Sequence, residues 1–411
     1  MYKTIISFIL LACVSFACEF NRNDNDGVLE EMELTSASIE LIESDNLFGL
    51  YLFRTVLEHD DSKNVMISPL SVALALGMTY NGAETTTEEA MKETLRLSGL
   101  TDEQINSSYK SIIDQLVKLD PKVILNIANS IWYKMGYQVE ADFIEVNQDY
   151  YYAEVNEMDF GRSDAVDIIN GWIETKTNGL ITEMLDQIPG NVVMYLINAI
   201  YFKGIWQYEF KKSDTHEADF YPSPGETVKV SMMQMEQDLE YHRNETFSAV
   251  SLPYGDGEFS MMVMLPHQDK TTDDVIALMD AEHWAEWTGD FRTAGVNLQI
   301  PKFKFGFKKL LNQDLTDMGM GIAFGGDADF SGINPARALY ISRVIHQTFI
   351  DVNEEGTEAA AATIVEMREL SSNGGGSPIS FIVDRPFIFV IKENSSGALL
   401  FMGKVTEPEY Q

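Results

Sequence analysis

The chain has 411 residues, 45% hydrophobic and 11% aromatic, far above the composition at which chains cannot bury enough apolar surface to fold. Its 29 Lys and Arg stand against 64 Asp and Glu, a formal net charge of −35. That excess excludes nucleic acid, heparin-like polyanions and acidic membrane surfaces as partners, since each needs a basic patch.

In chain order, Met1-Tyr2-Lys3 carries one positive charge, Thr4 to Val14 is almost wholly apolar, and small Ala17 precedes Cys18. Residues 1–17 read as an export signal, too short to span a bilayer permanently. A small residue before cysteine resembles the bacterial lipobox, whose cysteine becomes an acylated N-terminus. Cys18 is the candidate for lipidation; Cys13, after Leu10-Leu11-Ala12, is an alternative with a very short signal, and simple secretion is a third reading. The location implied is a bacterial membrane or cell surface reached only through the lipid, or the extracellular space. Both cysteines lie in this leader, so the mature domain is expected to fold without a disulfide. Residues 18–35 are rich in Asn, Asp and Glu and read as an acidic tether.

A helix start is expected at Thr35, with Ile39, Ile42, Leu47, Phe48, Tyr51 and Leu52 as its apolar stripe. Apolar, β-branched and aromatic runs predict strands at 123–127, 192–202, 260–265, 296–305, 381–391 and 398–405. Strands and helices do not alternate regularly, and neither repeat nor linker divides residues 36–411. One large α+β domain follows.

One segment breaks this pattern. Glu354-Glu355-Gly356-Thr357-Glu358-Ala359-Ala360-Ala361-Ala362-Thr363 is helical by propensity, yet Ser371 to Pro378 is an open Gly/Ser run. The residues alone allow either a helix followed by a linker or a long functional loop over about 354–380.

Catalytic motifs do not assemble. There is no nucleophile elbow or P-loop, and Gly319, Gly321 and Gly325 miss the dinucleotide spacing. His216-Glu217 opens like a zinc-protease motif, but Phe220 occupies the second histidine's place. No metal or other cofactor is expected. The six histidines are scattered; only His346, after Ile341 to Ile345, sits in an apolar context that calls for a buried hydrogen-bond network.

Several stretches, taken together, resemble the serpins, a family of proteinase inhibitors. They are Asn64 to Ser71, Asn198 to Trp206, Ser251 to Tyr254, Leu298 to Phe303, Ala328 to Ile333, Asp384 to Phe387 and Phe401 to Lys404, and the match runs from about residue 38 to the end. The resemblance implies three β-sheets, eight or nine helices and an exposed reactive-centre loop. It makes the segment from Glu354 to Thr363 the hinge of that loop, which enters a sheet as a new strand once a proteinase cuts. By the family pattern the cut bond lies fourteen residues beyond Gly356, at Leu370-Ser371, with Met367, Arg368 and Glu369 as alternatives. Ser68, Ser71, Asn198 and His346 then match a hydrogen-bonded shutter, and Trp206 the point where insertion begins. The implied protein is a monomer without catalytic residues of its own. Its implied partner is a serine proteinase of chymotrypsin-, elastase- or subtilisin-like specificity, with papain-like cysteine proteinases or a non-inhibitory binding role as alternatives.

Overall fold

Helix formation begins where the sequence places it: the Thr35 hydroxyl accepts the Ser38 N–H at 3.1 Å. The computed structural model describes residues 31–336, 339–357 and 377–410. The elements are α1 (Ser36–Glu58), β1 (Asn64–Ile67), α2 (Pro69–Tyr80), α3 (Thr85–Thr94), α4 (Asp102–Leu116), β2 (Val123–Lys134), α5 (Ala141–Tyr151), β3 (Glu154–Met158), α6 (Ala165–Lys176) and β4 (Met194–Ile205). Next come β5 (His216–Phe220), β6 (Val228–Arg243), β7 (Phe247–Tyr254), β8 (Phe259–Pro266), α7 (Thr272–Ala277), α8 (Ala281–Gly289), β9 (Arg292–Pro301) and β10 (Phe303–Leu310). The chain ends through α9 (Asn312–Leu315), β11 (Ile345–Asn353), β12 (Gly356–Thr357), β13 (Ile379–Ile382), β14 (Phe387–Glu393) and β15 (Leu399–Val405).

The α+β expectation holds, with nine α-helices among the described residues. The sheet count differs. Instead of three sheets, hydrogen bonding joins the strands into two, one of nine strands and one of six in the order β10-β11-β12-β4-β2-β3. The reason is the 16-residue β6, which pairs with β5 near its start, β9 along its middle and β7 at its end. One strand thereby fuses two expected sheets into a continuous ladder.

Two predicted strands split for equally local reasons. Residues 296–305 divide after Pro301, and 381–391 divide at Asp384-Arg385-Pro386, since proline cannot donate to a ladder. In α1 the buried face is Leu41, Ile42, Phe48, Leu52, Phe53 and Val56, whereas Ile39 and Tyr51 face solvent. The segment read as a tether is docked at its end: Met32 is buried, and Glu33 N–H donates to Gln115 Oε1 at 2.6 Å while Gln115 Nε2 donates back to the Glu33 carbonyl.

α2 sits at the centre of the molecule. Pro69 occupies its first turn, Ser68 caps it, and nearly every residue to Tyr80 is buried, as a helix apolar on almost every side must be. It packs on β4 and β15, between the two sheets. The other face of the six-stranded sheet is covered by α6, through Ile169 and Ile173 against Trp132 and Ile197.

Candidate functional site

β4 and β11 are consecutive long strands of the six-stranded sheet, yet among the described residues the pairing between them runs only through β12. Gly356 and Thr357 pair antiparallel with Ile205 and Gly204 on one side, and with Asn353 and Val352 on the other. Two glycines permit so close an approach. Gly356 has φ +151°, and a Cβ there would run into the Gly204 carbonyl oxygen; a Cβ on Gly204 would lie 2.7 Å from the Tyr254 ring.

Around this upper end the polar groups are matched. Trp206 donates its backbone N–H to the Glu355 carbonyl and its indole N–H to the Asn353 carbonyl, both at 2.9 Å. Its ring stacks on Tyr254 with centroids 4.4 Å apart and meets Phe210 edge-on. The Tyr254 and Thr357 hydroxyls lie 2.6 Å apart, both buried. Glu354 is buried between Lys302, paired at 3.0 Å, and the Thr215 hydroxyl, which donates at 2.9 Å. Burial pushes the Glu354 carboxyl up, but a backbone N–H, Lys302 and Thr215 outweigh it and hold the carboxyl below its usual range. Lys212 pairs with Glu355 at the surface.

The lower end is different. A cavity of about 300 Å³ opens between Met194–Asn198 of β4 and the stretch from Leu339 to Gln347, with Ser71 of α2 in its wall. His346 is buried and its Nε2 accepts the Ser68 N–H at 3.0 Å, so the ring is neutral with its proton on Nδ1. Burial pushes its pKa down to about 4. The Ser68 hydroxyl donates to the Leu400 carbonyl at 2.7 Å and accepts the Ser71 N–H at 3.3 Å. Ser68, the Ser71 backbone and His346 are thus joined by hydrogen bonds. Asn198 stands outside that group: its Nδ2 donates to Asn129 Oδ1 at 2.8 Å, and its Oδ1 has no hydrogen-bond partner among the described residues.

Of the hinge, Glu354 to Thr357 are placed at the upper end. Glu358 to Thr363, together with Met367, Arg368, Glu369, Leu370 and Ser371, lie outside the described residues, as do Cys13, Cys18 and the leader. Tyr254, Thr215 and Asn129 carry parts of the site that the sequence reading gave no role. Tyr254 stood inside a quoted motif, but only the fold brings it beneath Thr357. His216 is exposed on β5, and no group of three or more His, Cys, Asp or Glu among the described residues could hold a metal ion.

A strand pair held apart, with the start of a third strand seated between them, is the arrangement the family resemblance calls for, and comparison with known proteins agrees. The family model for serpins, serine protease inhibitors, matches residues 43–408. A serpin-like protein of Methanosarcina acetivorans is 35% identical over 99% of this chain and 98% of its own. The leukocyte elastase inhibitor of Equus caballus is 34% identical over 90% of this chain and all of its own. The crystal structure of the thermophilic serpin tengpin in its native state superposes with a TM-score of 0.81 at 33% identity, covering 92% of this chain and 96% of that one. With the motifs, the fold and these matches in agreement, the chain belongs to the serpin family, whose members are protease inhibitors rather than enzymes.

Proposed function

We propose that the protein is a suicide-substrate inhibitor of serine endopeptidases, cut at Leu370-Ser371 and trapping the acyl-enzyme by inserting its loop between β4 and β11. The observation that carries this reading is the two-residue β12, which pairs with both strands and marks the first rung of a new one. Serpin loop insertion is an established case of strand addition.

Register gives the rest. β4 is 12 residues long, so a strand starting at Gly356 finds partners in it as far as Met367, opposite Met194. Leu370 lies three residues beyond. Alternation points Ala359, Ala361, Thr363 and Val365 to the same side as Thr357, toward α2. All are small enough to slide beneath a packed sheet. Thr363 falls opposite Asn198 on β4 and His346 on β11, so its hydroxyl supplies the donor that Asn198 Oδ1 lacks.

Energy decides what drives the step. Each backbone hydrogen bond contributes about 1 kcal/mol net, while ordering each residue costs about 1–2 kcal/mol. Pairing alone roughly cancels, so the surplus comes from apolar burial and from satisfying polar atoms already waiting at the lower end. The displaced enzyme then loses its catalytic alignment, because acyl transfer tolerates little displacement of the reacting groups.

The test is incubation of the purified domain with chymotrypsin, elastase, subtilisin, trypsin and papain, followed by denaturing gels and peptide mapping. The expected result is a denaturant-stable complex with a serine proteinase and release of a peptide beginning at Ser371. A complex cut after Met367, Arg368 or Glu369 moves the site but keeps the mechanism, and one formed with papain alone changes the target class. Cleavage by every enzyme without a complex overturns the inhibitory reading. Export and acylation at Cys18 belong to the same proposal and are checked by the mass of the N-terminal peptide from an export-competent host.

A further inference from the structure

After β15 the chain crosses to the edge of the other sheet. Asn64 Oδ1 accepts the N–H groups of Thr406 and Glu407 at 3.0 and 3.2 Å, and its Nδ2 donates to the Glu407 carbonyl at 2.8 Å. Pro408, which has no N–H to leave unpaired, is buried next. The Glu409 carbonyl then accepts the Lys304 N–H at 2.7 Å. Lys304 stands near the start of β10, the last strand of its sheet, which pairs only with β11 among the described residues. Its ammonium is engaged too, on Asp351 of β11 at 3.1 Å. These bonds leave Tyr410 beside Lys302, the residue between β9 and β10, with the ammonium 4.1 Å from the ring centroid.

The same ammonium pairs with Glu354 Oε2 at 3.0 Å. Glu354 is buried, and its backbone is already in use: its carbonyl accepts the Phe210 N–H at 3.0 Å, and the next carbonyl, of Glu355, accepts the Trp206 N–H at 2.9 Å. Gly356 and Thr357 follow at once as β12. The Tyr410 ring is thereby connected to the base of the hinge through Lys302 and Glu354. Lysine is a point charge on a flexible four-carbon stem, and ordering it costs side-chain entropy. Ring and carboxylate together hold it in one place. The carboxylate alone holds it less well, and each departure of Lys302 leaves Glu354 buried without its cation.

We propose that Tyr410 is a positioning residue for the hinge: its ring holds Lys302 on Glu354, so that Gly356 and Thr357 stay seated between β4 and β11 as the loop inserts. The consequence, a larger share of proteinase encounters that end in trapping, rests on the insertion reading above. A strand can grow only from a first rung that stays in register, and Glu354 is the last ion-paired anchor whose pairing is buried before that rung. Because the ring acts through Lys302, what the role requires of residue 410 is a flat π face. Phenylalanine also offers one and leucine does not, so the phenol hydroxyl is dispensable here.

The experiment compares wild type with Tyr410→Phe, Tyr410→Leu, Lys302→Met and the double variant Tyr410→Leu/Lys302→Met. Two quantities are read: amide hydrogen exchange in the uncut protein, and the ratio of inhibitor consumed per enzyme trapped, using whichever proteinase of the panel above wild type traps. Tyr410→Leu should speed exchange at the Phe210 and Trp206 amides about threefold to tenfold, leave the β7–β8 pairing around Val250 and Val263 unchanged, and raise the ratio. Tyr410→Phe should match wild type in both. In the Lys302→Met background the leucine substitution should change exchange less than about twofold, because the group it acts through is gone. Exchange unchanged at Phe210 and Trp206, or raised equally around Val250 and Val263, would overturn the positioning role and leave Tyr410 as edge packing. Faster local exchange with an unaltered ratio would overturn its part in trapping. Wild type cut by every enzyme without a complex would overturn the insertion reading instead, and the exchange pattern would still decide whether Tyr410 holds the hinge.

Discussion

The two ends of the gap between β4 and β11 are built on opposite terms. At the upper end Trp206, Tyr254, Thr357 and Glu354 are stacked, bonded or ion-paired. At the lower end Asn198, Gln347 and Tyr195 each leave a buried polar atom without a partner among the described residues. An orphaned buried donor or acceptor costs about 1–3 kcal/mol, and three of them are a sizeable share of a domain's net stability of about 5–15 kcal/mol. The contrast teaches where the uncut fold is complete and where it is held short of completion. On the insertion proposed above, the upper-end interactions are already in place, whereas the unpartnered atoms at the lower end would gain partners only as the loop seats.

The largest expected effect breaks the contrast at its start. Thr357→Arg places a guanidinium in a buried site against Tyr254, where burying a charge is costly. Insertion should stall before enzyme deacylation, so the variant is cut like a substrate. We expect the ratio of inhibitor consumed per enzyme trapped to rise at least about tenfold, since a penalty of about 1.4 kcal/mol already changes a partition by that factor. Equal stoichiometry for variant and wild type would show that insertion does not pass through this rung.

Acid sharpens the contrast. His346, at the lower end, has its pKa lowered to about 4 by burial. Between pH 6.5 and 4 the unfolded chain therefore binds a proton that the folded one refuses, and stability falls as pH falls, by about 3 kcal/mol in all. Asp45 of α1, fully buried with the Tyr109 hydroxyl donating to it at 2.9 Å, is pushed the other way, up to about 7. It holds a proton in the folded state only, so its contribution is present below about 4 and is lost as pH rises through 7. The two slopes oppose each other. Relative to wild type, His346→Gln should lose stability with rising pH across 4 to 6.5, and Asp45→Asn should gain it, as read from urea midpoints. Parallel pH profiles for all three proteins would refute both assignments.

What the sequence disclosed follows the same division. Local signals were sufficient for the Thr35 cap and the strand cores, because each depends on residues a few positions apart. The strand at 123–127 was read too short because Asn126, Asn129 and Ser130 interrupt its apolar pattern; in the fold Asn129 is buried and bonded to Asn198 across the pairing. Ile39 and Tyr51 have the right spacing for a buried stripe, but the turn of α1 toward α2 and α4 is set by Phe48 and Phe53. His346 was legible as a buried ring from its apolar neighbours, while its partner Ser68 lies far along the chain. The orphaned atoms were not legible at all. An unsatisfied oxygen is a property of register and packing, and composition carries no trace of either.

The smallest expected effect is also the one that tests whether the upper end is common to both states. Tyr254→Phe keeps the ring that stacks on Trp206 and removes only the hydroxyl 2.6 Å from Thr357 Oγ1. The loss should be about 1 kcal/mol, the net worth of one hydrogen bond plus part of the cost of leaving Thr357 unpaired. Because β12 is already seated in the uncut fold, that loss should appear equally in uncut and cut protein, and trapping should change little. If Tyr254→Phe destabilised only the cut form, Thr357 would not be held in place before cleavage, and the first rung would belong with the bonds that insertion has still to make.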